Sequence, residues 1–207
     1  MNEKPRKNII IMTGPKGVGK TTLLDRLKTL LKDKNIYYPE HDMSFILNRE
    51  LKLQYDTLKE NPNNEEITLF VESKVLDTFK NIFEKINFDL YDFIILDRTH
   101  LDDYIFANVG LKNKEYLKYL EEKRNEIHFN MNRILDVFYI NTSESVMVKR
   151  LLSRGRNSEA NITINYLKNL HRAYKIMIND IYPVHHEYAN ETELKNWDKF
   201  IIDRYNL

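Results

Sequence analysis

The residues best suited to chemistry lie near the N-terminus, where three of the chain's five glycines fall within six residues. The segment from Gly14 to Thr21, GPKGVGKT, fits the spacing G-x-x-x-x-G-K-[ST] between a strand-like and a helix-like stretch. Such a loop turns its backbone N–H groups toward phosphate oxygens, and the following helix N-terminus adds partial positive charge. The segment predicts ATP or GTP binding, with Lys20 on the β- and γ-phosphates and Thr21 on Mg²⁺. The expected phosphate-binding residues are Gly14, Lys16, Gly17, Val18, Gly19, Lys20, Thr21 and Thr22.

Carboxylates follow two further strand-like runs. Asp97-Arg98 comes after Phe93–Leu96, and Glu40 comes after Ile36–Tyr38 and a proline. Ligands of open α/β sheets gather at the carboxyl ends of the strands. We expect Asp97 to hold Mg²⁺ through water, Arg98 to stabilise charge near a transferred phosphate, and Glu40 to accept a proton from an attacking hydroxyl. A helix cap with an exposed arginine and a plain loop glutamate are the respective alternatives.

A cluster of arginines occurs in the segment RLLSRGR, which begins at Arg150. Arg150 and Arg154 lie one helical turn apart, and Gly155 permits a bend that would carry Arg156 toward them. Three arginines on one segment suit the charge that develops on a phosphoryl group in transfer. A solvated basic surface is the alternative interpretation.

The elements that must position these residues alternate between strand and helix. This order predicts one three-layer α/β/α domain over residues 1–207, with a central parallel five-stranded sheet. The predicted strands are Ile9–Thr13, Ile36–Tyr38, Asp92–Asp97, Ile134–Ile140 and Lys199–Asp203. The predicted helices are Lys20–Asp33, Met43–Lys59, Glu65–Asn87, Tyr116–Met131, Ser143–Ser153 and Asn161–Ile181.

Composition excludes several other classes of protein. The chain has no cysteine, which excludes disulfides, thiolate zinc sites and cysteine nucleophiles. Its 32 Lys and Arg balance 31 Asp and Glu, so no basic field for nucleic acid is expected. No run approaches the ~18 apolar residues of a membrane span, which predicts a cytoplasmic protein without membrane contact. His185-His186-Glu187 is expected to be a surface loop rather than a metal site.

Taken in order, these features resemble the deoxynucleoside kinase family, most closely its bacterial deoxyadenosine and deoxyguanosine kinase branch. Lys149–His171 (KRLLSRGRNSEANITINYLKNLH) resembles the family's lid and following helix, Asp97–Phe106 (DRTHLDDYIF) its acidic-Arg-Ser/Thr motif, and Pro39-Glu40 its catalytic glutamate segment. The resemblance covers essentially the whole chain. It implies a P-loop kinase fold with a lid at about 150–160, a homodimer, and transfer of the γ-phosphate of ATP to a deoxynucleoside 5′-hydroxyl.

The same resemblance implies roles for individual residues. Glu40 would be the general base, Arg98 would lie by the 5′-oxygen, and the lid arginines Arg150, Arg154 and Arg156 would clamp the phosphates. Glu159 would accept a hydrogen bond from the sugar 3′-hydroxyl, with Tyr55 the nearest candidate for the family's tyrosine there. Asp103, or its neighbour Asp102, would contact the base.

One departure from the family concerns the base. Glu72 aligns with the family's base-reading glutamine, and the arginine that follows that glutamine in the family has no clear match. A carboxylate accepts but cannot donate unless protonated, so Glu72 would suit guanine N1–H and N2–H₂ or a cytosine amino group. A surface position for Glu72 is the alternative. For the chain as a whole, a thymidylate kinase-type nucleoside monophosphate kinase and a non-catalytic nucleotide-binding regulator are the alternatives.

Overall fold

The computed structural model describes residues 7–39, 53, 57, 64–154, 163–189 and 194–207. Its sheet has five parallel strands in the order β2-β3-β1-β4-β5. The strands are β1 Ile9–Thr13, β2 Ile36–Tyr37, β3 Phe93–Asp97, β4 Ile134–Asn141 and β5 His186–Ala189. Chain order and spatial order therefore reverse next to β1, which is where ligands bind in open α/β sheets.

Seven α-helices accompany the sheet in the described part of the chain. They are α1 Lys20–Leu30, α2 Glu65–Lys85, α3 Asp102–Gly110, α4 Lys114–Asn125, α5 Glu144–Arg154, α6 Ile164–Ile181 and α7 Leu194–Tyr205. Side chains of Asn64, Asn113 and Thr163 accept hydrogen bonds from the first backbone N–H groups of α2, α4 and α6. These caps fix where the helices begin, because the first turn of a helix has no internal partners for its donors.

Apolar side chains on both faces of the sheet explain the helical layers. Ile9 and Ile11 of β1 point into one buried cluster, and Ile10 and Met12 point into a second on the opposite face. Side chains of α2, α3, α4 and α6 complete the first cluster, and those of α1 and α7 complete the second. A strand buried on both faces must be apolar throughout, as β1 is. The predicted three-layer α/β/α fold with a five-stranded parallel sheet is confirmed.

The C-terminal part of the prediction is wrong. Lys199–Asp203 lies within α7, and the fifth strand is His186–Ala189, which pairs with β4. Trp197 and Ile201 of α7 are fully buried, four residues apart on one helix face, whereas Ile202 is exposed. The β-branched pair Ile201-Ile202 suggested a strand, but packing selects the helical period. His186 and Glu187, assigned to a loop, form this edge strand instead.

The other predicted elements differ mainly at their ends. The helix expected over Glu65–Asn87 ends at Lys85, and the one expected over Tyr116–Met131 occupies Lys114–Asn125. Of the helix expected over Met43–Lys59, only Leu53 and Thr57 are described, and both are helical. Within the described ranges, no helix has the length and apolar character needed to cross a bilayer.

His100 offers a test of how the first core cluster responds to acid. Its ring is 5 % exposed and contacts the rings of Phe79, Phe83 and Phe129. Burial lowers the pKa of His100 from 6.5 to about 4, and the charge of Arg124 adds to the effect. The unfolded chain therefore binds more protons than the native one between these values, so stability falls as pH falls through this window.

We expect His100→Leu to reduce that acid sensitivity. The wild-type protein should lose up to about 3 kcal/mol more than the variant between pH 6.5 and 4. Urea unfolding at several pH values measures the difference. His128→Leu, at an exposed histidine, is the control and should follow the wild-type slope. An equal slope for His100→Leu would contradict the assignment.

Candidate active site

The phosphate loop leaves β1 at Thr13 and enters α1 at Lys20. Gly14, Gly17 and Gly19 all have positive φ, at 139°, 83° and 93°, a region that L side chains rarely adopt. A Cβ at Gly14 would overlap the carbonyl oxygen of Ile140, and one at Gly17 would lie 2.7 Å from Leu151 Cδ1. Both positions therefore exclude any side chain. Gly19 is the N-cap of α1 and provides no side-chain cap, so the first N–H groups of α1 are left to other partners.

Lys20 and Asp97 meet at the base of this loop. The β1–β3 register pairs Met12 with Asp97, which carries the end of β3 to the loop. Lys20 Nζ lies 3.9 Å from Asp97 Oδ1 and donates to the Pro15 carbonyl at 3.4 Å. Both side chains are buried. Thr21 and Thr22, at the start of α1, are exposed.

Arg98 is held over the loop by three hydrogen bonds. Its Nη2 and Nε donate to the Gly14 carbonyl at 2.8 and 3.2 Å, and Nε also donates to the Tyr174 hydroxyl at 3.1 Å. The guanidinium lies 4.9 Å from the ring centroid of Phe106. Arg98 has a φ of 69°, a conformation that costs a non-glycine residue of order 1 kcal/mol and that recurs at functional sites.

Asp102 is the centre of a buried hydrogen-bond network behind Arg98. It accepts from the Thr13 hydroxyl, from the Thr99 backbone N–H at 3.0 Å, and from Tyr174 and Tyr182 at 2.9 and 2.7 Å. Burial, with the charge of Asp102, raises the pKa of both tyrosines, so they remain donors. Of the two aspartates expected at the base, Asp102 is thus used within the protein.

Asp103 points to a different side of α3 and meets a different partner. Its side chain is completely buried, and Oδ2 accepts from Arg124 Nη2 of α4 at 3.1 Å. Its Oδ1 has no hydrogen-bond partner among the described residues. Burial raises the pKa of Asp103 to about 6, although Arg124 acts against this.

Glu72 of α2 lies beside Asp103. Its side chain is half-buried, and burial together with the charge of Asp103 raises its pKa well above the usual range. The charges of Lys16 and Arg98 act on the same carboxyl in the opposite direction. The structure therefore places Glu72 among residues of the phosphate loop and α3, rather than on an isolated surface of α2.

Helix α5 connects the expected lid to the phosphate loop. Arg150 Nη1 donates to the Val18 carbonyl at 3.0 Å, and Leu151 and Met147 lie against Gly17. Arg154 ends this helix. The Arg154 side chain and the residues Glu40, Tyr55, Arg156 and Glu159 lie outside the described part of the structure.

Three side chains of this site carried no clear sequence signal. Tyr174 and Tyr182, which flank the end of α6, lie in an apolar periodic segment where core packing is the ordinary expectation. Arg124 stands in the charged segment EEKRN at the end of α4, where arginines are commonly solvated. Their spacing of eight residues puts the two tyrosines on one helical face, which was the available clue to a shared partner.

The donor set fits a nucleotide phosphate and magnesium. The loop supplies backbone N–H groups and Lys20, and Asp97 supplies one carboxylate beside the exposed Thr21 hydroxyl. Magnesium keeps several waters and takes one or two protein oxygens with substrate phosphates. Consistent with this mode, the described residues contain no cluster of three His, Asp or Glu able to form an all-protein metal cage.

A phosphate loop at the sheet's switch point, with Lys20, Asp97 and Arg98 around it, defines a P-loop phosphotransferase. The chain belongs to the deoxynucleoside kinase family, whose model matches residues 10–204, and it is an ATP-dependent phosphotransferase acting on deoxynucleosides. No curated protein sequence matches it.

Solved structures of deoxyadenosine kinase from M. mycoides have the same fold. The one with dCMP and a flexible dCDP bound has a TM-score of 0.76 at 20% identity, over 96% of this chain and 98% of that one. The one with dATP bound has a TM-score of 0.75 at 22% identity, over 96% and 100%. The one with dCTP bound has a TM-score of 0.69 at 22% identity, over 96% and 98%.

The bond between Tyr174 and Arg98 leads to a kinetic prediction. We expect Tyr174→Phe to lower kcat about tenfold, because Arg98 Nε loses one of its two acceptors and the guanidinium is less firmly oriented. Tyr182→Phe is the matched control, since it removes a hydrogen bond to the same Asp102 without contacting Arg98. Both variants should lose about 1–3 kcal/mol of stability. Steady-state kinetics with urea unfolding separates the two effects, and equal kcat values for both variants would contradict a positioning role for Tyr174.

Proposed function

We propose that the described site divides the kinase reaction between a phosphate half and a base half. The phosphate half is the loop Gly14–Thr22 with Lys20, Asp97 and Arg98. The base half is Glu72 with Asp103. The observation that carries the proposal is that Lys16 and Arg98 act electrostatically on Glu72, which supports a single cavity shared by both halves.

In this proposal each residue of the phosphate half has a distinct task. Lys20 neutralises charge on the β- and γ-phosphates, and the loop N–H groups bind the remaining oxygens. Arg98, fixed by the Gly14 carbonyl and Tyr174, stabilises charge near the 5′-oxygen that attacks the γ-phosphate. Magnesium, when bound, would offset phosphate charge, and the residues proposed to hold it are Thr21 and, through water, Asp97.

The remaining roles are proposed on the family resemblance. Glu40 takes the proton from the 5′-hydroxyl, because a neutral hydroxyl is a weak nucleophile. Arg150, Arg154 and Arg156 clamp the phosphates and exclude water as the lid closes. Glu159 and Tyr55 contact the 3′-hydroxyl. We also propose a single domain and a homodimer, whose mass in solution light scattering would measure.

Transfer to a hydroxyl is tested with [γ-³²P]ATP, each of the four deoxynucleosides, and each of the four monophosphates as acceptors. We expect labelled product with at least one deoxynucleoside and none from a monophosphate. Better transfer to a monophosphate would support the thymidylate kinase alternative. ATP binding without any transfer would support a regulator.

Two substitutions test the proposed division of tasks. Lys20→Met should lower kcat by about 10²–10³, because it removes a charged group at the transferred phosphate. Glu40→Gln should lower kcat by about 10²–10⁴ with little change in ATP binding, because only proton removal is affected. Lys28→Met, a partly exposed lysine in the last turn of α1, is the control for general effects on α1. Full activity in Glu40→Gln would contradict the assignment of the base.

A further inference from the structure

Two carboxyl groups and one guanidinium meet where α2, α3 and α4 come together. The only hydrogen-bonded ion pair among them in the described structure joins Arg124 to Asp103. Arg124 is 8 % exposed and lies 5.1 Å from the ring centroid of Tyr104. This pair is firmly packed, because removing a buried charge from water is tolerated only with a partner at close range.

The charges around this cluster leave room for a single buried negative charge. Asp103 has Arg124, and Asp102 nearby acts to raise the pKa of Asp103. Glu72 is approached by Lys16 from the phosphate loop, by Arg98 after β3 and by Tyr166 of α6, whose pKa burial and Glu72 raise. Burial and Asp103 outweigh the two cations at Glu72. Two adjacent carboxylates cannot both ionise readily, so one proton stays with the pair.

We propose that Arg124 is a positioning residue for base recognition: it holds Asp103 as the carboxylate, and the proton of the pair therefore stays on Glu72. The position of the proton rests on these contacts alone. The identity of the ligand rests on the proposed function.

A neutral Glu72 has a different chemistry from the carboxylate that the sequence suggested. It offers one O–H donor and one C=O acceptor side by side. Adenine and cytosine present the complementary pair, an acceptor ring nitrogen next to an amino donor. The second amino hydrogen can bond to Asp103, whose Oδ1 has no partner within the described residues. Guanine N1–H and N2–H₂ are both donors, and they match an ionised Glu72 instead. The favoured substrates are therefore deoxyadenosine and deoxycytidine.

The proton is located first, without any ligand. Protein labelled with ¹³C at glutamate Cδ is titrated by NMR, and the resonance absent from Glu72→Gln identifies Glu72. We expect Glu72 to remain neutral to a higher pH than the bulk of the glutamates. Titration of Glu72 together with the bulk would overturn the proposal whether or not the protein is a kinase.

Arg124 is tested by the same titration with aspartate labelled at Cγ and Asp103→Asn used for assignment. The midpoint of Asp103, about 6 in the wild-type protein, should rise by about one pH unit or more in Arg124→Met. Arg124→Lys keeps the charge and should keep the midpoint near the wild-type value. Lys123→Met is the matched control, because the neighbouring Lys123 pairs with Asp77 at 2.7 Å and not with Asp103. If Arg124→Met does not fold, Arg124→Lys and the control still decide, since midpoints that track a geometric change rather than charge would overturn the proposal.

Base preference is then measured as equilibrium binding of nucleosides without ATP, so a failure of phosphoryl transfer does not affect it. Wherever NMR shows a neutral Glu72, deoxyadenosine or deoxycytidine should bind about tenfold or more tightly than deoxyguanosine. The ratio should fall as Glu72 loses its proton. In Glu72→Gln, whose amide always offers a donor and an acceptor, it should stay high above pH 7. Tighter binding of deoxyguanosine to neutral Glu72, or a ratio that ignores its titration, would overturn the proposal.

Discussion

The carboxylate of Asp102 is the interaction on which the site depends most. It joins β1 through Thr13, the turn after β3 through the Thr99 N–H, and α6 through Tyr174 and Tyr182. A buried charge with no cationic partner survives only if several donors replace its water. The arrangement therefore fixes α6 against the sheet, and Tyr174 passes that order on to Arg98. The strained backbone of Arg98 is held by the same set of contacts.

Asp102 and Asp103 show how neighbours of the same type acquire different tasks. Successive residues on a helix point about 100° apart, so the first faces the sheet and α6, and the second faces α4 and α2. Asp102 has its oxygens satisfied by protein donors. Asp103 has one oxygen on Arg124 and one without a hydrogen bond among the described residues. The difference in partners separates a structural carboxylate from one available to a ligand.

The phosphate loop is coupled to α5 as closely as to the sheet. Gly17 has no space for a side chain beside Leu151, and Arg150 donates to the Val18 carbonyl. The root of the proposed lid therefore contacts the loop that binds the phosphates. A change in the loop on binding a nucleotide would be felt first by α5, because packed side chains transmit displacement with little compression.

The sequence alone determined the parts whose information is local. The phosphate loop follows from glycine spacing, and β1 and β3 follow from short apolar runs that must be buried on both faces. Local pattern failed at α7, where Ile201-Ile202 has the character of a strand and only the burial of Trp197 and Ile201 selects a helix. Tertiary structure alone assigned Asp102 to the core, brought Arg124 to Asp103 across 21 residues, and brought Tyr174 to Arg98 across 76. It also set the protonation of Glu72, because a pKa depends on burial and on charges from other elements, which no local spacing encodes.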